Sequence, residues 1–214
     1  MPMLKQIHPE NPIQAIDETY KTFILAMRIQ NGFKEGLIDQ KCFTSFIEIP
    51  SDLRMPIPRQ NYDQRAIYRQ FHNLVLSATA ALIIAVDTAL DETFGAKNPF
   101  NTQDPIDSLR AIIYMLRCAW SHDMANPKWE LKGDKYRRIY QVTVPKQIIS
   151  MLSSGRITDS QIYELDFAKL DGKYVELALF RGIEGIIFLS LYAKELIARK
   201  LEKSLNPVEE LCTK

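Results

Sequence analysis

Two residues near the middle of the chain are suited by type to proton transfer and anion binding. In the stretch LRCAWSHDMANPKW, residues 116–129, Arg117 and His122 stand five positions apart at the end of an apolar-periodic segment. Histidine exchanges a proton near neutral pH, since its ordinary pKa is about 6.5. Arginine stays charged and offers a planar fork of donors that fits a phosphate. Such a pair can hold a phosphodiester, move a proton and stabilise charge developing on the phosphate, with no metal required. Five helical positions amount to about 140° of rotation and about 7.5 Å of rise, so the two do not share one stripe. Arg117 shares a face with Arg110, Tyr114 and Ser121, while Cys118 lies one turn below His122. Tyr114, Cys118, Ser121 and Asp123 are therefore candidate lining residues.

Each of these residues also has a plainer role. Cations and histidines near a helix C-terminus are favoured by the macrodipole and bond the last carbonyls. Cys118 and His122 are half of a metal site, but no second cluster completes a tetrahedron. Ser121 and His122, being adjacent, point apart on a helix and make a poor nucleophile and base. His72 reads as a satisfied buried histidine on a central helix, and His8 falls in an N-terminal lead. Trp129 reads as a lid on the core beneath a hairpin. The run Tyr136–Arg137–Arg138–Tyr140 mixes bases and aromatics, which suits single-stranded nucleic acid, but reads first as a solvated hairpin face.

Several elements must position the pair. IQAIDETYKTFILAMRIQNG places Ile13, Ile16, Tyr20, Phe23 and Met27 at helical spacing, with Gly32 as the expected stop. The stretch holding Pro50, Pro56 and Pro58 reads as an irregular crossover. From about Asn61 to Phe94 a long helix is expected, with Ile67, Phe71, Leu74, Ala78, Leu82 and Ala85 on one stripe and Gly95 ending it. Its run ATAALIIAV is apolar nearly all round, which suits the middle of a bundle. Asp104 before Pro105 is a good N-cap and N1 pair for a third helix, whose buried face is Ile106, Leu109, Ile113, Leu116 and Trp120.

Past the Arg–His stretch the period changes. KWELKGDKYRRIYQVTVP predicts a short hairpin about Gly133-Asp134, PKQIISMLSSG a short helix ended by Gly155, and Asp171-Gly172 a second hairpin. A last helix, roughly Leu179–Ser204, has Ile183, Ile186, Ile187, Leu191, Leu196 and Ile197 as its core. Gly182 and Gly185, each costing about 1 kcal/mol inside a helix, belong in its first turns or where another backbone comes close. The expected fold is mainly α: one domain over residues 1–214, a bundle of four long helices with a small β-hairpin insertion, roughly residues 128–178, before the last helix.

Arg117-x4-His122, at the end of the third long helix of such a bundle, resembles the R-x4–6-H motif of the HEPN superfamily. Members are compact helical bundles, often dimeric, and many are metal-independent ribonucleases of toxin–antitoxin, abortive-infection and CRISPR defence systems. The resemblance implies that Arg117 and His122 are catalytic. It also implies that two motifs meet in a homodimeric cleft and that RNA is cut by its own 2′-hydroxyl, with no cofactor. Active members usually carry a polar residue after the arginine, where this chain has Cys118. Some toxin members carry a tyrosine where it has Met124. The alternative is a non-catalytic module that binds a nucleotide, an RNA end or a protein partner, such as an antitoxin, through the same cleft.

Bulk properties bound these readings. The 214 residues are 46% hydrophobic and 25% charged, ordinary for a globular chain able to bury one core without disulfides. The net charge of +1, with both signs interleaved, argues against a broad grip on duplex nucleic acid but leaves room for a small phosphate or single-strand site. Cys42, Cys118 and Cys212 are odd in number and dispersed, as expected of free thiols in the cytoplasm. The stretch MPMLKQIHPENP lacks the apolar run expected of a signal peptide, and the run Ala80–Val86 is far short of a membrane span. Arg117 and His122 are expected to matter more for function than for folding, in contrast to Leu116 on the core stripe.

Overall fold

The spacing of apolar residues builds four long helices in a computed structural model that describes residues 11–39, 63–124, 126–151 and 159–205. The first, α1 (Pro12–Lys34), starts at Asn11, whose side chain accepts from the Ile13 amide at 2.9 Å. Gly32 does not stop it. The helix runs two residues further, and Gly36, at φ 73°, takes the left-handed turn that a Cβ would strain. The second, α2 (Gln64–Phe94), is capped by Asp63 and ends at Gly95 as expected, also at positive φ. The third, α3 (Pro105–His122), starts where the Asp-Pro pair predicts: the Asp104 carboxylate accepts from the amides of Ile106 and Asp107 at 2.7 and 3.0 Å.

α2 is the central helix, packing on α1, on α3 and on the last helix. It is not buried all round. Leu74 and Ile84 are exposed, because its partners cover two sides and leave a solvent stripe. By length and composition α2 could cross a membrane, but 61% of its most apolar window is buried against the rest of the fold. On α3, Leu109, Ile113, Leu116 and Trp120 are buried as their spacing predicts. Fully burying each such side chain contributes about 1.5–3 kcal/mol.

The β region pairs differently from expectation. Strand β1 (Ile139–Val144) pairs antiparallel with β2 (Gln161–Asp166), Ile139 opposite Asp166 and Val144 opposite Gln161. The two strands flank a short helix, α4 (Lys146–Ser150). Gly133-Asp134 is therefore not a hairpin turn between strands. The stretch before it is taken elsewhere: the Trp129 amide donates to Lys173 O, Gly172 to Trp129 O and Val175 to Pro127 O. Those bonds also replace the second hairpin about Asp171-Gly172, leaving a single bridge, Lys128 to Tyr174. After β2 come α5 (Phe167–Leu170), a 3-10 turn (Leu177–Phe180) and α6 (Ile183–Leu205). Gly185, in the first turn of α6, sits where an added Cβ would collide with Phe180 O, so the close backbone approach expected of it is present.

The fold is thus mainly α, four long helices with a small two-stranded antiparallel hairpin before the last. One apolar cluster draws residues from all four helices and both strands. Alternation along β1 turns Tyr140, Val142 and Val144 inward and Ile139, Gln141 and Thr143 outward, and α3 lies between α2 and this strand. Trp129 is fully buried, its ring 5.1 Å from Phe167, so its role as a lid on the core holds. The proline-bearing crossover, His8, Cys42, Gly155 and Cys212 lie outside the described residues.

Candidate functional site

The Arg117 side chain leaves α3 on the side that faces α2 and is 43% exposed. Its Nη1 donates to Asp87 Oδ2 at 2.7 Å, and Asp87 is fully buried. A buried carboxylate is costly unless paired, which makes this contact part of the fold as well as of the site. Lys97 Nζ stands 3.1 Å from the other oxygen, Oδ1, as an ion pair without hydrogen-bond geometry; Oδ1 accepts no hydrogen bond among the described residues.

Lys97 is brought there by its neighbours. Gly95 turns the chain out of α2. Arg110, itself buried, then donates to the carbonyls of Gly95 and Ala96 and pairs with Asp91 at 3.2 Å. Lys97 also bonds Asp91 and lies 4.9 Å from the centre of the Tyr114 ring. Tyr114 in turn stacks on Tyr136, with ring centres 5.1 Å apart. One wall thus runs from Asp87 through Arg117, Tyr114 and Cys118 to Tyr136.

Electrostatics follow from those contacts. The bond to Asp87 raises the pKa of Arg117 above its ordinary value, against the opposing effect of burial. A side-chain hydrogen bond with Cys118, then burial, raises that of Tyr114. Burial, reinforced by Tyr114, raises that of Tyr136. In the network, Arg117, Lys97 and Arg110 face Asp87, Asp91 and Asp107, three cations against three carboxylates. The network therefore carries no surplus of either sign. A guanidinium has five N–H donors, and one on Arg117 Nη1 goes to Asp87.

His122 is different. It is the last residue of α3, exposed, and among the described residues no side-chain hydrogen bond orients its imidazole. Ser121 is exposed and bonds back to Cys118 O at 2.9 Å. Asp123, also exposed, accepts from the Asn126 amide at 3.0 Å and so begins the turn that leaves the helix. Tyr114, Arg117 and Cys118 are thus together on the wall, while Ser121, His122 and Asp123 form an open rim at the helix end.

Two expectations about neighbouring residues fail. His72 is exposed on α2, because Phe71 takes the buried position beside it. Tyr136 and Tyr140 are buried, so they are neither stacking platforms nor a solvated face, while Arg137 is exposed and Arg138 half-buried. Missing from the sequence reading were Asp87, Asp91 and Lys97. Asp87 had a signal: a lone acid inside AALIIAVDTAL, deep in the most apolar helix, requires a cation partner. Among the described residues, no three histidine, cysteine or carboxylate side chains gather as metal ligands. No protein-family model, curated protein or solved structure matches this chain.

Proposed function

We propose that this chain is a HEPN-like, metal-independent endoribonuclease that cuts RNA by attack of the 2′-hydroxyl on the adjacent phosphate. The observation that carries the reading is the seating of Arg117: a buried carboxylate holds it while its side chain stays 43% exposed, in the last turns of the helix that His122 ends. A preorganised guanidinium at that place suits the non-bridging phosphate oxygens.

One chain supplies one histidine, whereas transesterification benefits from a base for the 2′-hydroxyl and an acid for the leaving 5′-oxygen. A two-fold homodimer about the end of α3 provides both, since an isologous interface repeats its residues. Exposed Met124, two residues past His122, and exposed Ile84, one turn before Asp87, supply apolar surface at that end. An imidazole with no side-chain hydrogen bond among the described residues also fits a site completed by a second copy. In the reaction one His122 takes the 2′-hydroxyl proton, the other gives a proton to the 5′-oxygen, and Arg117 holds the phosphate.

The test is incubation with single-stranded RNA in EDTA and analysis of the ends. Expected are 2′,3′-cyclic phosphate and 5′-hydroxyl termini, no cleavage of DNA, a bell-shaped pH profile and twice the monomer mass by light scattering. Cleavage abolished by EDTA, or a clean monomer that cleaves, overturns the mechanism. The second reading, a binding module without catalysis, is favoured by Cys118, whose contact with Tyr114 fills the position after the arginine. It predicts RNA binding that depends on Arg117 with no cleavage, and Cys118→Asn as the first change to restore activity.

A further inference from the structure

At the other end of α3 lies an open groove of about 720 Å³, lined by Phe100, Gln103, Arg138, Gln141, Thr143 and Tyr192 among others. None of its lining residues is acidic. Phe100 is 62% exposed, and the Arg138 guanidinium lies over its ring at 4.5 Å. Arg138 Nη1 is fixed by the carbonyls of Asp134 and Lys135 at 2.9 and 2.8 Å, which sets the guanidinium in place and leaves its other donors. The side chains of Gln103, Gln141 and Thr143 make no hydrogen bonds among the described residues. Gln141 and Thr143 are held outward because their neighbours Tyr140, Val142 and Val144 fill the core. The Tyr140 hydroxyl bonds Pro99 O at 2.8 Å, tying the Phe100 segment to β1.

We infer that this groove is a subsite for single-stranded RNA, taking one base on the open part of the Phe100 ring, its phosphate at Arg138, and its edge at the free amides and hydroxyl. A partly exposed aromatic ring under a fixed cation, with uncommitted polar groups and no carboxylate around it, is the chemistry that binds a nucleotide of a flexible strand. The inference rests on the ribonuclease reading for its choice of ligand. The same two segments build both places: Lys97 of the site is three residues from Phe100, and Tyr136 is two from Arg138. From Pro105 to Arg117 is 12 residues of α3, or roughly 18 Å. At about 3.4 Å between stacked nucleotides that is about five steps, so a stacked strand needs about six nucleotides to fill both.

Length dependence follows. A labelled ten-nucleotide deoxy-oligonucleotide, which lacks the 2′-hydroxyl and stays intact, should bind the full chain more tightly than a trinucleotide of the same bases. Phe100→Ala and Gln141→Ala, both at exposed positions, should weaken the ten-mer, the former by about tenfold or more. With RNA, Phe100→Ala should raise KM for a ten-mer and leave kcat near wild type, as expected for contacts made equally in ground and transition states. Equal affinity of wild type and both variants for the ten-mer overturns the subsite even where RNA is cleaved. Loss of ten-mer affinity in Phe100→Ala, with no cleavage by wild type, supports the subsite and overturns catalysis instead.

Discussion

Arg117 and His122 belong to one short motif, yet the fold treats them in opposite ways. Arg117 is anchored: a fully buried carboxylate receives its hydrogen bond, and Lys97, Asp91 and Arg110 continue the network into the turn after α2. His122 ends its helix in the open, with no side-chain bond among the described residues to set its ring. Anchoring and exposure suit different tasks. A group that fixes a phosphate works best preorganised, whereas a proton carrier can be oriented on arrival by the substrate or a second subunit.

The sharpest way to break this contrast is at Asp87. Replacing it by alanine leaves Arg117 and Lys97 without their shared counter-ion and empties a buried position. Denaturant unfolding should show a loss of about 3–5 kcal/mol, as for other broken buried pairs. Leu116→Ala, on the fully buried stripe of α3, should cost about 2–5 kcal/mol and calibrates the scale. An Asp87→Ala protein as stable as wild type would mean that the anchor does not exist in solution.

Alkali tests the packed side independently. Burial raises the pKa of Tyr163 from its ordinary 10.0 to about 12, and those of Tyr136 and Tyr140 are raised in the same sense by burial. A phenol held neutral in the fold but free to ionise when unfolded stabilises the native state fully below pH 10. That contribution is lost as pH climbs from 10 through the folded value near 12, and for Tyr163 it is on the order of 2 kcal/mol. Tyrosinate absorbance from these rings should rise together with loss of helical circular dichroism. Ionisation of all tyrosines well before unfolding would contradict their burial.

Arg117→Ala removes one partner and leaves Lys97 beside the buried carboxylate, so a smaller loss of about 1–2 kcal/mol is expected. The sequence alone predicts less, under about 0.5 kcal/mol for a surface position and up to about 1 kcal/mol with the lost charge–dipole attraction. Coupling between Arg117→Ala and Asp87→Asn in a double-mutant cycle would isolate the bond. Smallest of all should be His122→Ala, within about 0.5 kcal/mol of wild type in stability while abolishing metal-free RNA cleavage. A drop in melting temperature for His122→Ala as large as that for Arg117→Ala would erase the distinction.

Local patterns decided a good deal of this protein. The helices of the bundle follow from spacing near 3.6, and Asp104-Pro105 and Gly95 set helix ends, because caps and left-handed turns depend on a few adjacent residues. Gly185 likewise declared a close approach by being costly where it stands. The Arg–His pair was legible as residue types at the end of α3, and its seating was not. Asp87 lies 30 positions from Arg117, and only the packing of α2 on α3 joins them. Tertiary structure also chose the strand partners. IYQVTV finds QIYELD across a short helix, because the nearer segment about Trp129 is held by the Gly172–Val175 backbone. That choice turns Tyr140, Val142 and Val144 into the core and leaves Gln141 and Thr143 on the surface, since alternation fixes which residues share a face and only the assembled fold decides which face meets water.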